Sequence, residues 1–438
     1  MKKLLWLLCA AVLLLAPIEK VYAFHSAPED TTQLIAEDDT SASEENDIPG
    51  APNVYLDCNR CDNTHIRSEL TFVNYVRDQE RADIHVFVTD QSTGDGGREY
   101  EMSFIGRQEF SGQEHTIIYT ADRDDTWDEE RDGVNEKLRL GLTPYMLQTS
   151  LADRFSVSYE APEGGESHRQ NISDPWDYWV FEIYAGRLQT GLESNQRSFN
   201  SRWGFYADRV TEDWKFRMRP YFNYNYVSID QGDDEEPVVS QRHRHGFDSH
   251  AIRSITDHWS AGMFGDYITR NDRNLNHRYR MMPGVEYSIF PYEVSTRRSI
   301  TFRYQVGLAL SDYYEMTIFE QTEETLVSHE LRAEARVRQT WGNLYGGLVG
   351  SHYFHDLDQR RAVFWGGVNV RIMEGLSLNL QADFEMIQDQ LSLPAGDASL
   401  EEILLEQREL ATDFSLSGSI ALSYTFGSQF ANIVNTRM

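Results

Sequence analysis

Cys58 and Cys61 form a C-x-x-C pair, and two thiols so spaced can close a disulfide, exchange electrons or share a metal. In an oxidising compartment the plain reading is a local structural disulfide. Redox chemistry would draw on a helix N-terminus that lowers a thiol pKa, and a metal site would need further ligands, of which only His65 is near. His243 and His245 lie two apart, so on a strand they share a face and could bind a metal, but Arg242 and Arg244 crowd them and no carboxylate has matching parity. Ser351 beside His352, with His329, offers loose ingredients of a hydrolase, yet strand neighbours face apart and no motif singles them out. No catalytic, cofactor or metal set is expected, and the chain is not read as an enzyme.

Charge supplies the larger constellation. Arg217, Arg219, Arg303, Arg332, Arg336, Arg338 and Arg371, with Glu330, Glu334, Asp383 and Glu385, all fall between apolar residues in alternating segments. On the inside of a barrel they would line a narrow polar channel, or form an ion-pair network that fills the lumen and conducts nothing. Both readings need strands of a particular kind.

The elements that would position these groups follow from periodicity. From Trp214 to Tyr226 every second residue is apolar or aromatic, while Lys215, Arg217, Arg219, Asn223 and Asn225 fall between them. One face suits lipid and the other suits water, which is the pattern of a membrane barrel strand. The same parity recurs through Ile300–Leu310, Leu331–Val337, Phe364–Ile372, Leu376–Phe384 and Phe414–Phe426. Twelve strands are predicted, at 177–191, 196–210, 212–229, 238–254, 256–270, 276–290, 296–312, 325–340, 341–355, 360–373, 375–389 and 413–426. Short connections should alternate with longer ones, and residues 390–412, with Leu400, Leu404, Leu405 and Leu410, suggest a short helix. Trp176, Tyr178, Trp179, Trp214, Trp259, Phe290, Tyr292, Trp341 and Trp365 mostly fall near strand ends, where amphipathic rings suit the headgroup level.

Before the barrel, residues 53–152 change period twice, as a mixed domain does. Val54–Leu56 reads as a strand, and Ile66, Leu70, Val73 and Val76 have helical spacing behind a cap at Asn63 or Thr64. Strands follow at 84–88, 100–105 and 116–119, the first two joined by a glycine hairpin over Thr93–Gly97. Thr126 and Glu129 make a capping box for a second helix whose inner face is Val134, Leu138, Leu142 and Tyr145. The predicted order is β-α-β-β-β-α.

The chain opens on Lys2 and Lys3, an apolar run from Leu4 to Pro17 and a small-residue site at Val21–Ala23, which together read as a signal peptide over residues 1–23. Removing it takes away Lys2, Lys3, Lys20 and Glu19, so the formal charge of −30 becomes −32. That sign argues against nucleic acid as a partner. Residues 24–52, with eight acidic side chains and no Lys or Arg, read as a disordered linker. No apolar stretch after residue 23 approaches 18 residues, so membrane insertion must use strands.

Several stretches, Leu56-Asp57-Cys58-Asn59-Arg60-Cys61-Asp62, Phe72–Asp78, Gly94–Tyr100, Asp174–Phe181 and Tyr424–Ser428, are together similar to a group of bacterial outer-membrane β-barrel proteins whose N-terminal periplasmic domain carries an LDCxxCD motif and which have no assigned activity. The resemblance covers most of the chain after residue 23 and implies location and architecture. With the periodicity, it gives a transmembrane antiparallel β-barrel at 176–438 behind a periplasmic α/β domain. Outer-membrane lipid and the barrel-insertion machinery are the expected partners, with a periplasmic envelope protein as a third. The expected function is a porin-like channel or transporter for a small polar solute. A non-conducting barrel that anchors the α/β domain as a docking module is the alternative, and an outer-membrane hydrolase the third.

Overall fold

The computed structural model describes residues 48–94, 96–156, 174–230, 236–396, 405 and 408–427. The signal peptide, most of the acidic linker, Leu400, Leu404 and the chain from Ser428 onward lie outside the described residues. Leu405 and Leu410 are described and belong to no helix.

Five strands form the first sheet: β1 (Asn53–Asp57), β2 (Asn74–Tyr75), β3 (Ile84–Ser92), β4 (Arg98–Gly106) and β5 (Glu114–Ala121), in the order β2-β1-β3-β4-β5. β1 runs parallel to both neighbours, and β3, β4 and β5 are antiparallel. Helix α1 (Asn63–Glu69) follows β1 and α2 (Trp127–Met146) follows β5. Alternation decides the two faces. Val54, Val86, Tyr100, Met102 and Phe104 pack with Ile66, Val134, Leu138, Leu142 and Tyr145 in one apolar core. Thr126 and Glu129 form the predicted capping box.

Three local expectations need correction. α1 is capped by Asp62, whose carboxylate accepts from the His65 N–H at 3.0 Å, and not by Asn63 or Thr64. It ends at Glu69, so Leu70, Val73 and Val76 enter the core from beyond the helix, and the chain then pairs as the unpredicted β2. Two residues held only by long-range parallel pairing carry no local period to read. Order also begins before Asn53: Asn74 Nδ2 donates to the carbonyls of Ile48 and Ala51, both at 3.2 Å, and the Ile48 N–H donates to Asn74 Oδ1 at 2.9 Å.

The second sheet has twelve antiparallel strands in chain order: β6 (Trp179–Leu192), β7 (Gln196–Val210), β8 (Trp214–Ile229), β9 (Val238–Ser254), β10 (Trp259–Arg270), β11 (Leu275–Ser288), β12 (Arg298–Tyr313), β13 (Glu323–Gln339), β14 (Gly342–Tyr353), β15 (Arg360–Met373), β16 (Leu376–Ile387) and β17 (Phe414–Tyr424). Each predicted strand is present with its ends shifted by a few residues at most. A flat sheet of this many strands, at about 4.8 Å spacing, would be more than 50 Å across. Yet the small α/β module touches β6 through Arg123–Glu182, the 289–297 connection through Glu101–Arg297, and the 374–375 turn through Arg81–Glu374. The sheet is therefore rolled into a barrel, with the module across one mouth. At the seam β6 and β17 are each paired on one edge only among the described residues.

Connection lengths alternate less cleanly than predicted. At the mouth that meets the module, 211–213, 255–258, 340–341 and 374–375 are short, but 289–297 is longer because it reaches up, and Thr296 Oγ1 donates to Glu101 Oε2 at 2.8 Å. At the other mouth 193–195 and 271–274 are tight. The connections 314–322 and 388–413 there fold together: the Ile318 N–H donates to the Leu393 carbonyl and the Ala395 N–H to that of Met316, both at 2.8 Å.

Candidate functional site

Register fixes which side chains face inward. Phe302, Tyr304, Val306, Leu308 and Leu310 on β12, Leu331 on β13, Leu344 and Leu348 on β14 and Leu416, Ile420 and Leu422 on β17 are large, apolar and well exposed, forming a continuous outer belt. An apolar surface of this extent is what a hydrocarbon-facing band requires. Residues of the other parity face a polar lumen. Its groups form clusters: Arg217 and Arg219 both meet Asp208, at 3.2 and 2.9 Å, and Arg332 lies between Glu330 and Glu334 at 3.2 Å from each. Arg280 meets Asp266, with Arg278 at 3.9 Å from the same carboxylate, and Arg361 joins Glu385 to Asp389, the latter at 2.8 Å.

The predicted lumen charges therefore divide. Arg217, Arg219, Arg332, Glu334 and Glu385 belong to these clusters. Arg303 lies over the Phe264 ring, 5.0 Å from its centroid, and Asp383 has no ion pair among the described residues. Arg336, Arg338 and Arg371 lie at the mouth under the α/β module. Arg338 donates to the Asp90 carbonyl at 3.0 Å, and Arg371 donates to the Tyr55 hydroxyl while lying over that ring. Local alternation could place these arginines inside, but it carried no sign that a second folded unit would meet them.

Among the described residues, chambers open along the lumen at either end. The one away from the module, about 410 Å³, is lined by Arg278, Arg280, Glu330, Arg361, Glu385 and residues of the 388–413 connection. The one beneath the module, about 600 Å³, is lined by Tyr55, Asp57, Arg60 and Phe87–Asp90 above and by Arg336, Arg338, Trp341, Tyr345 and Arg371 below. Trp365 and Arg332 stand at the inner end of the first, the guanidinium 5.8 Å from the ring centroid. This corrects the placement of Trp365 near a membrane interface: its ring lies inside, flat over Gly347, as Tyr345 lies over Gly367 on the opposing strand. A Cβ at either glycine would meet the ring within about 2.6 Å, so each small residue makes room for a large partner across the ladder.

The module's lower sheet face explains why β3 is buried on both sides. Tyr55, His85, Phe87, Glu101 and Ser103 point toward the barrel, and Arg297 donates to Glu101 Oε1 at 2.9 Å and also to the Ser103 hydroxyl. His85 is wholly buried, accepts at Nδ1 from Arg107 at 3.3 Å and directs Nε2 to Asp57 at 3.4 Å. Burial pushes its pKa down, against the opposing pull of Asp57. A base whose folded pKa is depressed binds fewer protons folded than unfolded, so stability is lost as pH falls below the unfolded value near 6.5. The α/β module should lose up to about 1.4 kcal/mol per pH unit from this group below that point. Urea unfolding of the full chain at pH 7 and pH 5, with His85→Asn beside it, checks this. Equal pH slopes in both proteins would show that His85 does not contribute.

Cys58 and Cys61 are joined in a disulfide with Cα atoms 5.6 Å apart, closing the turn between β1 and α1. His65 instead lies 3.1 Å from Asp132. His243 and His245 do share a face of β9, with ring centroids 5.4 Å apart, but it is the outer one, where His243 pairs with the Tyr314 hydroxyl at 3.0 Å and His245 lies beside Phe222. His329 and His352 are cross-strand partners in contact on that same outer face, and Ser351 pairs instead across from Glu330 and Arg361. Among the described residues no group of three or more metal-binding side chains gathers.

No family model and no curated protein matches the chain. Among solved structures, the NanC porin in a rhombohedral crystal form aligns over 57% of this chain and 99% of its own, at 9% identity and a TM-score of 0.26. The beta domain of the Bordetella autotransporter Brka aligns over 57% and 98%, at 12% identity and a TM-score of 0.22. At those scores the likeness carries no weight for fold or function.

Proposed function

We propose that this chain is an outer-membrane β-barrel through which a small polar solute, preferentially an anion, passes, with the α/β module standing over the periplasmic mouth. The observation that carries the reading is a reversal of charge. The chain as a whole has a net charge of −30, whereas lumen parity on β13 and β15 places Arg332, Arg336, Arg338, Arg361 and Arg371 along one wall beside the two chambers, and of these only Arg332 and Arg361 are paired with carboxylates among the described residues. Rings of one sign inside a pore select by charge, and a narrow low-dielectric passage strengthens their field. The apolar outer belt supports the membrane assignment, and the sequence resemblance supports the outer membrane and the periplasmic side for the module.

A second reading, a non-conducting barrel that holds the module as a docking surface, is favoured by the way the module's sheet face is seated on the mouth. Planar-bilayer recordings of the purified full-length protein separate the two. Steady conductance with a reversal potential displaced toward the anion is expected, and Arg332→Ala and Arg336→Ala should each lower the anion-to-cation permeability ratio several-fold. A folded barrel that stays silent would reject the channel and leave the scaffold.

A further inference from the structure

The 600 Å³ chamber under the module has an uncompensated charge. Of its two carboxylates, Asp90 is paired with Arg98, while Asp57 lies 3.4 Å from the Nε2 of His85, whose pKa burial pushes down, so Asp57 leaves one negative charge facing the guanidiniums of Arg60, Arg336, Arg338 and Arg371. Its guanidiniums are not matched by any carboxylate: Arg338 meets a backbone carbonyl, Arg371 meets a phenol, and Arg336 makes no hydrogen bond or ion pair among the described residues. Arg371 Nη1 is buried from solvent and has no hydrogen-bond partner among the described residues. A buried N–H of a charged group left without an acceptor is costly. The half-buried Arg338 and the exposed Arg336 reach the same cavity, and with none of the three guanidiniums paired to a carboxylate among the described residues, the unpartnered Nη1 of Arg371 calls for an anion.

We infer that this chamber is a binding site for a small oxyanion-bearing solute, a phosphate or a carboxylate, held jointly by Arg336, Arg338 and Arg371 of the barrel and roofed by the β1 and β3 face of the α/β module. The inference rests on the channel reading only for its role, as a selectivity station at the mouth; occupancy itself does not require conduction. Guanidinium forks pair in bidentate fashion with both oxyanions, and the rings of Tyr55, Trp341 and Tyr345 confine the remaining volume to a compact solute. The module contributes wall rather than charge. Arg60 is its one guanidinium on the chamber, and it is exposed.

Isothermal titration calorimetry on the full-length protein in non-ionic detergent tests this, with inorganic phosphate and gluconate as probes and glucose as the uncharged control, all at one ionic strength set by chloride. Both oxyanions should bind at millimolar concentration or tighter and glucose should not; the tighter of the two identifies the headgroup chemistry. Arg336→Ala should weaken binding about tenfold, the loss of one charge-assisted contact. Because Arg336 holds no part of the module, this variant leaves the mouth assembled. Arg336→Lys should restore charge but recover the affinity only in part, and Lys137→Ala, on the far side of α2, should change nothing. Failure of both oxyanions to bind, or equal affinity in Arg336→Ala, overturns the site. Binding without conductance would reject the channel and keep the site, whereas conductance without binding would do the reverse.

Discussion

Gly141→Val should unfold the α/β module while the barrel stays intact. Gly141 lies on the inner face of α2, and a Cβ there would stand 2.0 Å from Cζ of Phe104 and 2.2 Å from Cε2. Phe104 has no exposed surface and cannot swing away, because His115 stacks on it with ring centroids 4.9 Å apart, and Tyr145 packs on His115 in turn. Tyr145 is itself anchored, its hydroxyl donating to the Phe104 carbonyl at 2.9 Å, and burial pushes that hydroxyl's pKa up to about 12. Relief would require α2 to lift from β4, losing the packing of Val134, Leu138 and Leu142 together. Overpacking of a core usually costs about 1–3 kcal/mol, and a branched side chain at this contact lies at or beyond the upper end. Against a domain stability of about 5–15 kcal/mol, that is a large fraction. Hydrogen exchange of the full-length protein should show the α2 amides losing protection while β6 to β17 keep theirs. Gly141→Ala combined with Phe104→Leu should recover much of the loss. Retained protection of α2 in Gly141→Val would mean the helix and sheet tolerate a wider spacing than this contact implies.

The second large effect is expected from reversing two charges at the mouth, Arg297→Glu with Arg371→Glu. Arg297 and Thr296 converge on Glu101, and Arg371 holds Tyr55. These anchors grip separate strands of the module, β4 and β1. An exposed ion pair contributes little, but placing like charges face to face across an interface costs several kcal/mol, and here a new carboxylate would meet Glu101 at one anchor while another stands near Asp57 at the second. The module should detach without unfolding. Hydroxyl-radical footprinting would read this directly, since Tyr55 and Phe87 face the mouth: their modification should rise several-fold while Phe104 and Leu138 stay protected. Unchanged footprints at Tyr55 and Phe87 would show that shape, not charge, seats the module.

Much of this architecture is legible in the sequence because a half-lipid, half-water strand must alternate. Arg360–Met373, with its alternation from Phe364 to Ile372, could be bounded to the residue on that basis. The capping box at Thr126 and the inner face of α2 were legible for a similar reason: both depend on residues within one or two turns. Expectation fails where distant chain decides the outcome. β2 exists only as the parallel neighbour of β1. The burial of His85 and Phe87 depends on a barrel mouth more than 200 residues away in sequence. Alternation through Phe364–Ile372 puts Trp365 on the inner face, but the room for its ring there is made by Gly347 on another strand, which its own neighbours do not show. The charged residues of the lumen were read by parity, but which have partners and which do not is a property of the assembled strands and module together. That distinction marks the chamber.

The seam gives the module a further mechanical meaning. On one side of the seam it holds β6, through Arg123 and Glu182; on the other it holds β15 and the 374–375 turn, through Tyr55–Arg371 and Arg81–Glu374. It therefore acts as a clasp across a cut cylinder. Strand edges in hydrocarbon leave N–H and C=O groups that each cost several kcal/mol until something hydrogen-bonds to them, so the edges are driven to zip, and the clasp sets how far apart they can stand before they do.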